Sequence, residues 1–219
     1  MADKSITVLV DNDSWVLPYA EVLEKNLTEL GYSVQLIRES RDIGEGWVNF
    51  MLGCTKLVSA DLLKRNKHNL VVHESDLPRG RGFAPMAWQI IEGKNEIPIC
   101  LIEAADEADS GMIWIKDEIK LSGDELCNEW RARQGEKTVE ICMRFVTEYG
   151  ALSPRQQEGD SSWYPRRRPE DSVLAVKKSI EEQFNLLRTV DNERYPAYFE
   201  LAGRRYVVKI ERADGADSN

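Results

Sequence analysis

The stretch HNLVVHESDLPRGRGFAPMAWQIIEG, residues 68–93, contains both histidines of the chain, and its reading decides the fold. Residues 69–72, NLVV, end in an apolar run that reads as a buried strand, and it delivers His73 to the mouth of a polar turn rich in proline and glycine. Residues 83–92 then repeat apolar positions at helical spacing, with Pro85 tolerable only in the first turn. Strand, turn and helix together make one step of an α/β alternation.

The steps on either side repeat the pattern. Upstream, ITVLV (6–10) is a β-branched strand bounded by DNDS, and residues 16–30 carry a helical stripe that closes at Gly31. YSVQLI (32–37) and WVNFML (47–52) supply two more strands, and Ser59 caps a short helix over ADLLKRN. Downstream, IPICLIEA (97–104) and GMIWIKDEI (111–119) read as strands. From Ser122 a long helix begins, with Ser122 and Glu125 in a capping box and Gly135 as a point where it could break. The expected fold is α/β, an open, mostly parallel twisted sheet with helices on both faces. In such sheets ligands bind beyond the carboxyl ends of the strands, which is where His73 lies.

After Gly150 the polar run ALSPRQQEGDSS (151–162) reads as a linker, and the remainder as a small appendage of one helix and a β-hairpin. The helix spans about residues 180–187, capped by Ser179 with Glu182. The hairpin is AYFELAGRRYVVKI (197–210). The expected organisation is a core over 1–150, a C-terminal subdomain over 151–212 and a frayed tail over 213–219.

Bulk properties narrow the function. With 219 residues, 42% hydrophobic and 31% charged, the chain suits one sizeable globular domain with an appendage. A net charge of −9 argues against general nucleic-acid binding, which needs a basic surface. Cys54, Cys100, Cys127 and Cys142 are widely spaced without a CxxC pair, and read as free thiols of a reducing compartment. No basic segment with a long apolar core opens the sequence, and no window approaches a membrane span, so a soluble cytoplasmic protein is expected. Two histidines five residues apart and no cysteine pair make a poor zinc inventory, so no metal is expected.

A lone histidine at a strand end is most often a hydrogen-bonded structural residue. Here it precedes ESDLPRGRGFAP, where two glycines and two arginines lead into a helix. Backbone donors beside an imidazole suit an electron-rich carbonyl or an anion.

His73, Ser75, Leu77, Pro78, Arg81, Gly82 and Pro85 match an HxSxLPxxRGxxP pattern, and the chain here resembles formyltransferases that use 10-formyltetrahydrofolate. EAADEADSG (103–111) is similar to that family's folate-binding loop, whose catalytic aspartate maps onto Asp109, with Ala105 and Asp106 beside it. LGCTKLVSADLL (52–63) is similar to the segment that cradles the pterin, with Lys56, Leu57 and Val58 at the matching positions. The resemblance covers roughly residues 6–150 and implies 10-formyltetrahydrofolate as cosubstrate. The Leu77-Pro78 turn is then expected to shape one wall of the folate pocket.

One position departs from the pattern: the family places an asparagine two residues before the histidine, where this chain has Val71. Asn69 shares a strand face with 71 and 73 and either supplies an amide from one step deeper or simply starts the strand. The implied chemistry is attack of an amine on the formyl carbon, with His73 as proton acceptor or oxyanion partner and Asp109 orienting the ring.

The C-terminal segment resembles the tail of amino-sugar N-formyltransferases, which carry YxRRxPED and then RxxxxxxYPAxF. The implied acceptor is a small-molecule, nucleotide-activated dideoxy amino sugar of a surface-polysaccharide or flagellin glycan. Arg166, Arg167 and Arg168 read either as a solvated basic turn or as phosphate contacts, Arg167 above all, with Tyr164 stacking nearby. Arg81 is a further substrate contact on this reading. Trp15 reads as core or as a wall of the acceptor pocket, and a turn at Glu74 would aim its carboxylate at the substrate amine. Other readings are formylation of an aminoacyl group or small metabolite, folate binding without catalysis, and hydrolysis of the formyl donor. The apolar YPAYF and the hairpin suggest a homodimer.

Overall fold

A computed structural model describes residues 5–213; most of the expected tail therefore lies outside the described residues. The elements in chain order are β1 (Ser5–Leu9), α1 (Leu17–Glu29), β2 (Ser33–Ile37), β3 (Gly46–Met51), α2 (Ala60–Leu63), β4 (Asn66–His73) and β5 (Arg81–Gly82). Then come α3 (Pro85–Ile91), β6 (Glu96–Glu103), β7 (Ile113–Lys120), α4 (Cys127–Glu148), β8 (Trp163–Tyr164), α5 (Phe184–Leu187), β9 (Ala197–Leu201) and β10 (Arg204–Val208).

Six strands form one sheet in the order β2-β1-β3-β4-β6-β7. The pairs β1–β2, β1–β3 and β3–β4 are parallel, whereas β4–β6 and β6–β7 are antiparallel. The sheet is thus α/β and mostly parallel, with the apolar strand IPICLIE running against NLVV. The chain leaves β1 to one side for β2 and returns to the other for β3. This reversal opens a crevice beyond the carboxyl ends of β1 and β3, next to the end of β4.

The two faces are covered unequally. Helices α1, α3 and α4 pack over one face, where Val8, Phe50, Leu70 and Leu101 meet Leu23, Leu27, Ile90 and Phe145 in the main core. The other face carries the one-turn α2 and the loops around it, against Leu9, Met51 and Val71.

Helix α4 runs unbroken for 22 residues through Gly135. The glycine serves packing: a Cβ at this position would lie 2.5 Å from the ring of Tyr19 on α1. It therefore sets how closely the two helices approach instead of ending one of them. Ser122 and Glu125 do meet, through a Ser122 N–H to Glu125 carboxylate hydrogen bond of 2.6 Å, but they form the turn ahead of the helix. The cap itself is at Leu126, whose N–H donates to Glu129 at 2.7 Å.

Beyond Gly150 a second small core gathers Leu174, Leu187, Val190 and Ala197 beneath the β9–β10 hairpin. Ser179 and Glu182 make the expected capping contacts, but only residues 184–187 are α-helical, after a 3₁₀ turn. The C-terminal segment also reaches back into the core, because β8 pairs with β5.

Candidate active site

His73 ends β4 and is buried, 5% exposed. Its Nε2 lies 2.8 Å from the carbonyl oxygen of Gly80. A carbonyl accepts only, so Nε2 carries a proton, and Nδ1 is the edge left to take or give one. That edge faces Asp109, with Oδ1 at 3.5 Å. The other carboxylate oxygen of Asp109 accepts the Gly82 N–H at 2.9 Å.

Asp109 is held in a backbone conformation with φ of 56°, rare for a residue with a side chain. Several contacts fix it there. Gln157 donates from one amide nitrogen to the carbonyls of Asp109 and Gly111 at 2.7 and 2.8 Å. Arg81 in turn donates to Gln157 at 2.9 Å and pairs with Glu107 at 3.5 Å. Gly111 lets the loop close on β6, since a Cβ there would sit 1.7 Å from the Glu103 carbonyl oxygen.

His73 and Asp109 line a cavity of about 580 Å³ at the carboxyl ends of β1, β3 and β4. Lys56, Leu57 and Val58 line it from the loop after β3, Ala105 from the 104–111 loop, and Trp15 and Glu74 at its far side. The loop after β3 is shaped by Asp11, whose carboxylate accepts the backbone N–H groups of Thr55 and Lys56 at 2.9 and 3.0 Å. Burial pushes the Asp11 carboxyl up, but its bonds from Asn12, Thr55 and Lys56 outweigh this and hold it below the usual range.

A second cavity, of about 520 Å³, shares Trp15, Thr55, Glu74, Phe83, Ala84 and Gln134 with the first. Its far side holds Arg131, Arg166, Arg167 and Arg168 together with Asp191. Glu74 stands at the junction, its carboxyl pushed up by burial, more than the neighbouring His73 and the hydrogen bond from Gln134 pull it down.

Other expected site residues lie elsewhere. Asn69 is buried between β3 and β4, and does not line the cavity. Its amide nitrogen donates to the Leu63 carbonyl at 2.8 Å and its amide oxygen accepts from Asn49 at 3.2 Å, so both ends of the side chain are engaged away from the cavity. Val71, at the position where the family pattern has an asparagine, does line the cavity. Arg81 and Tyr164 are not wall residues either. Arg81 straps the Asp109 loop, and the Tyr164 hydroxyl donates to Glu92, 2.9 Å from either carboxylate oxygen, with its ring stacked on Trp88. Neither Pro78, cis after Leu77, nor the exposed Asp106 lines the cavity. His68 bonds Tyr149 and Glu103 within an aromatic cluster.

Sequence reasoning missed Gln134 and Thr138, which line the first cavity from α4. Their signal was available: two polar residues one turn apart on a stripe whose other members, Trp130, Ile141 and Phe145, are core. Asp11 carried no such signal, because its partners are 44 and 45 residues away.

Among the described residues no group of three or more His, Cys, Asp or Glu side chains could hold a metal ion, and no helix is long and apolar enough to cross a membrane. The four cysteines are free.

Comparison with known proteins matches residues 47–146 to the formyl transferase family model. That span runs from β3 to near the end of α4 and includes His73 and Asp109. The chain carries a formyl transferase domain. A methionyl-tRNA formyltransferase from Thermodesulfovibrio yellowstonii is 25% identical over 167 residues, covering 73% of this chain and 53% of that protein. The chain thus spans about half the length of this curated relative.

Three solved structures share the fold of the formyl transferase domain and its surroundings. A methionyl-tRNA formyltransferase from Clostridium thermocellum superposes with a TM-score of 0.80 at 20% identity, over 97% of this chain and 95% of that one. HypX from Aquifex aeolicus in complex with tetrahydrofolic acid gives 0.77 at 16%, over 94% and 37%. A 4-N formyltransferase from Francisella tularensis gives 0.71 at 17%, over 96% and 98%.

Proposed function

We propose that this protein transfers the formyl group of 10-formyltetrahydrofolate to the amino group of a small-molecule amino sugar, activated as a nucleotide, in glycan biosynthesis. The observation that carries this reading is the pairing of two cavities across one wall. The first holds the His73–Asp109 pair and takes the folate, with Lys56, Leu57, Val58 and Ala105 around it. The second, lined by arginines, takes the acceptor.

The acceptor amine attacks the formyl carbon, the carbonyl oxygen gathers negative charge, and the amine must lose a proton as the C–N bond forms. His73 serves as oxyanion partner or proton acceptor through Nδ1, with Asp109 setting the ring and sharing the proton. Collapse of the tetrahedral adduct returns the electron pair to N10 of the folate and leaves the formamide. The bound folate supplies the activated formyl group. Glu74, at the shared wall, faces the approaching amine. Residues 1–150 act as the catalytic core and 151–212 as the segment that completes the acceptor side.

A cytoplasmic homodimer is part of the reading, supported by Leu201, Tyr206 and Val207 exposed on the β9–β10 hairpin. The methionyl-tRNA relatives keep formylation of an aminoacyl group as a second reading, against which the net charge of −9 stands. Incubation with 10-formyltetrahydrofolate and a panel of nucleotide-linked amino sugars, read by mass spectrometry, tests the proposal. One of them gains the mass of CO; formylation of methionyl-tRNA alone would overturn the sugar assignment.

A further inference from the structure

Making a formamide strips two protons from the acceptor nitrogen. An aliphatic amine is an ammonium at neutral pH, its pKa being roughly 8–10, so one proton leaves before the lone pair can attack and the second leaves as the C–N bond forms. His73 has room for one of them: Nε2 already donates to the Gly80 carbonyl at 2.8 Å, and Nδ1 is its remaining edge. A further acceptor is needed where the amine arrives, and four carboxyls line the two cavities. Three of them are committed. Asp109 holds the Gly82 N–H and faces His73, Asp191 pairs with Arg131 at 2.8 Å, and Glu103 accepts the Asn69 N–H and the Trp114 indole N–H at 2.7 and 2.8 Å. Glu74 is the fourth, and of the four it alone lines both cavities.

We propose that Glu74 is a catalytic proton acceptor, taking the first proton from the acceptor's ammonium group, and that Gln134 on α4 is the positioning residue that holds its carboxylate at the wall shared by the two cavities. This rests on the proposed formyl transfer and divides its proton traffic between two residues adjacent in the chain. Gln134 also lines both cavities, and its side chain hydrogen-bonds the Glu74 carboxyl. Behind them Gln89 of α3 donates to the Glu74 carbonyl at 2.6 Å, which fixes the backbone from which the carboxyl projects. An ordinary carboxylate is a weak base for an ammonium, and proton transfer is most effective when the acceptor's pKa lies near the working pH. Burial pushes the Glu74 carboxyl up and Asp109 adds to this, against the pull of His73 and of hydrogen bonds from Gln134 and from its own N–H. The remaining charges, Arg131 with Asp191 and Arg166 to Arg168, stand on the far side of the second cavity. The protons balance. The ammonium gives one to Glu74, which releases it to solvent, and the neutral amine attacks the formyl carbon. His73 takes the second and returns it to N10 as the bond from N10 to the formyl carbon breaks, leaving the formamide and N10–H.

Two measurements on the full chain test this. The first uses neither folate nor amine: NMR of isotope-labelled glutamate carboxyls follows each of them across pH. One carboxyl is expected to titrate above the ordinary glutamate range, to be missing in Glu74→Gln, and to move further up in Gln134→Leu, which loses a hydrogen bond to the ionised form. The second is the pH dependence of kcat/KM for whichever nucleotide-linked amino sugar of the panel gains the mass of CO most rapidly. At neutral pH Glu74→Gln should lower it by about 100-fold or more, the range for loss of a general base. The deficit should shrink as the pH nears the amine's own pKa, because the amine then arrives neutral. Gln134→Leu should move the acid limb of the profile to higher pH. A Glu74 carboxyl that titrates in the ordinary range, or a deficit that does not shrink as pH rises, would overturn the inference and leave formyl transfer standing. So would a Glu74→Gln rate within about tenfold of wild type at neutral pH. An unmoved Glu74 carboxyl in Gln134→Leu would overturn the part given to Gln134. A wild-type protein that formylates no amine would overturn the formyl reading, and this inference with it.

Discussion

Asp109 joins two parts of the proposed site: one oxygen stands 3.5 Å from Nδ1 of His73, and the other accepts the Gly82 N–H at 2.9 Å. The imidazole edge and the turn after β4 are thereby referred to one carboxylate. Replacing Asp109 with Ala should lower kcat by about 100 to 1000-fold, the range typical for loss of one oxyanion-type contact, with little change in folate KM. His73→Ala should match it. Steady-state kinetics with the amine that accepts the formyl group checks this, and a loss below about tenfold would remove the pair from the mechanism.

Arg81 acts at one remove. It touches Gln157, and Gln157 holds the Asp109 and Gly111 carbonyls. Arg81→Met should therefore reduce kcat by about tenfold or more through misplacement of the loop, while leaving acceptor KM nearly unchanged. A rise in acceptor KM with unchanged kcat would mean instead that the guanidinium touches substrate.

The carboxyl of Glu74, pushed up by burial, makes stability depend on pH. A carboxyl raised in the folded state stays protonated there while its unfolded counterpart ionises. Its favourable contribution is complete below the unfolded pKa, about 4.3, and is lost as pH rises through the folded value. Glu74→Gln removes that loss, so its Tm should exceed the wild-type Tm by at least about 2 °C near pH 7 and converge with it towards pH 4. Thermal melts across that range test the sign; a variant less stable at neutral pH would contradict it.

Asn69→Ala should injure folding rather than chemistry. The substitution leaves the Leu63 carbonyl and the Asn49 amide unmatched in a buried position, at a cost of about 1–3 kcal/mol. Denaturant titration should register this, while kcat of the folded fraction remains within a few-fold of wild type. A hundredfold fall in kcat would restore Asn69 to the catalytic set.

The parts of the site carried by contiguous sequence are legible in the residues themselves. A strand ending in His73, a turn and a proline-started helix each have local signatures of period and turn chemistry, whereas the loop ending in Asp109 is marked only by the family resemblance. What is not legible depends on distant pairing. Asn69 shares a strand face with His73, but whether its amide is free depends on Asn49 and Leu63, each brought to it by the fold. Arg81 and Tyr164 look like ligand residues in a motif, yet both are spent on neighbours more than 70 residues away. Gly135 reads as a helix breaker by propensity, and only the approach of Tyr19 shows why a long helix keeps it.

The pairing of β5 with β8 has a bearing on when this protein can become active. The Gly80 N–H is bonded by the Ser162 hydroxyl, the Arg81 and Phe83 N–H groups by the carbonyls of Ser162 and Tyr164, and the Asp109 carbonyl by Gln157. All of these partners lie past residue 150. A nascent chain that has released only its six sheet strands and α4 therefore possesses His73 and Asp109 without the clamps that register them. On the proposed reading, the site is complete only once residues 157–164 have emerged and paired with the turn after β4 and the Asp109 loop.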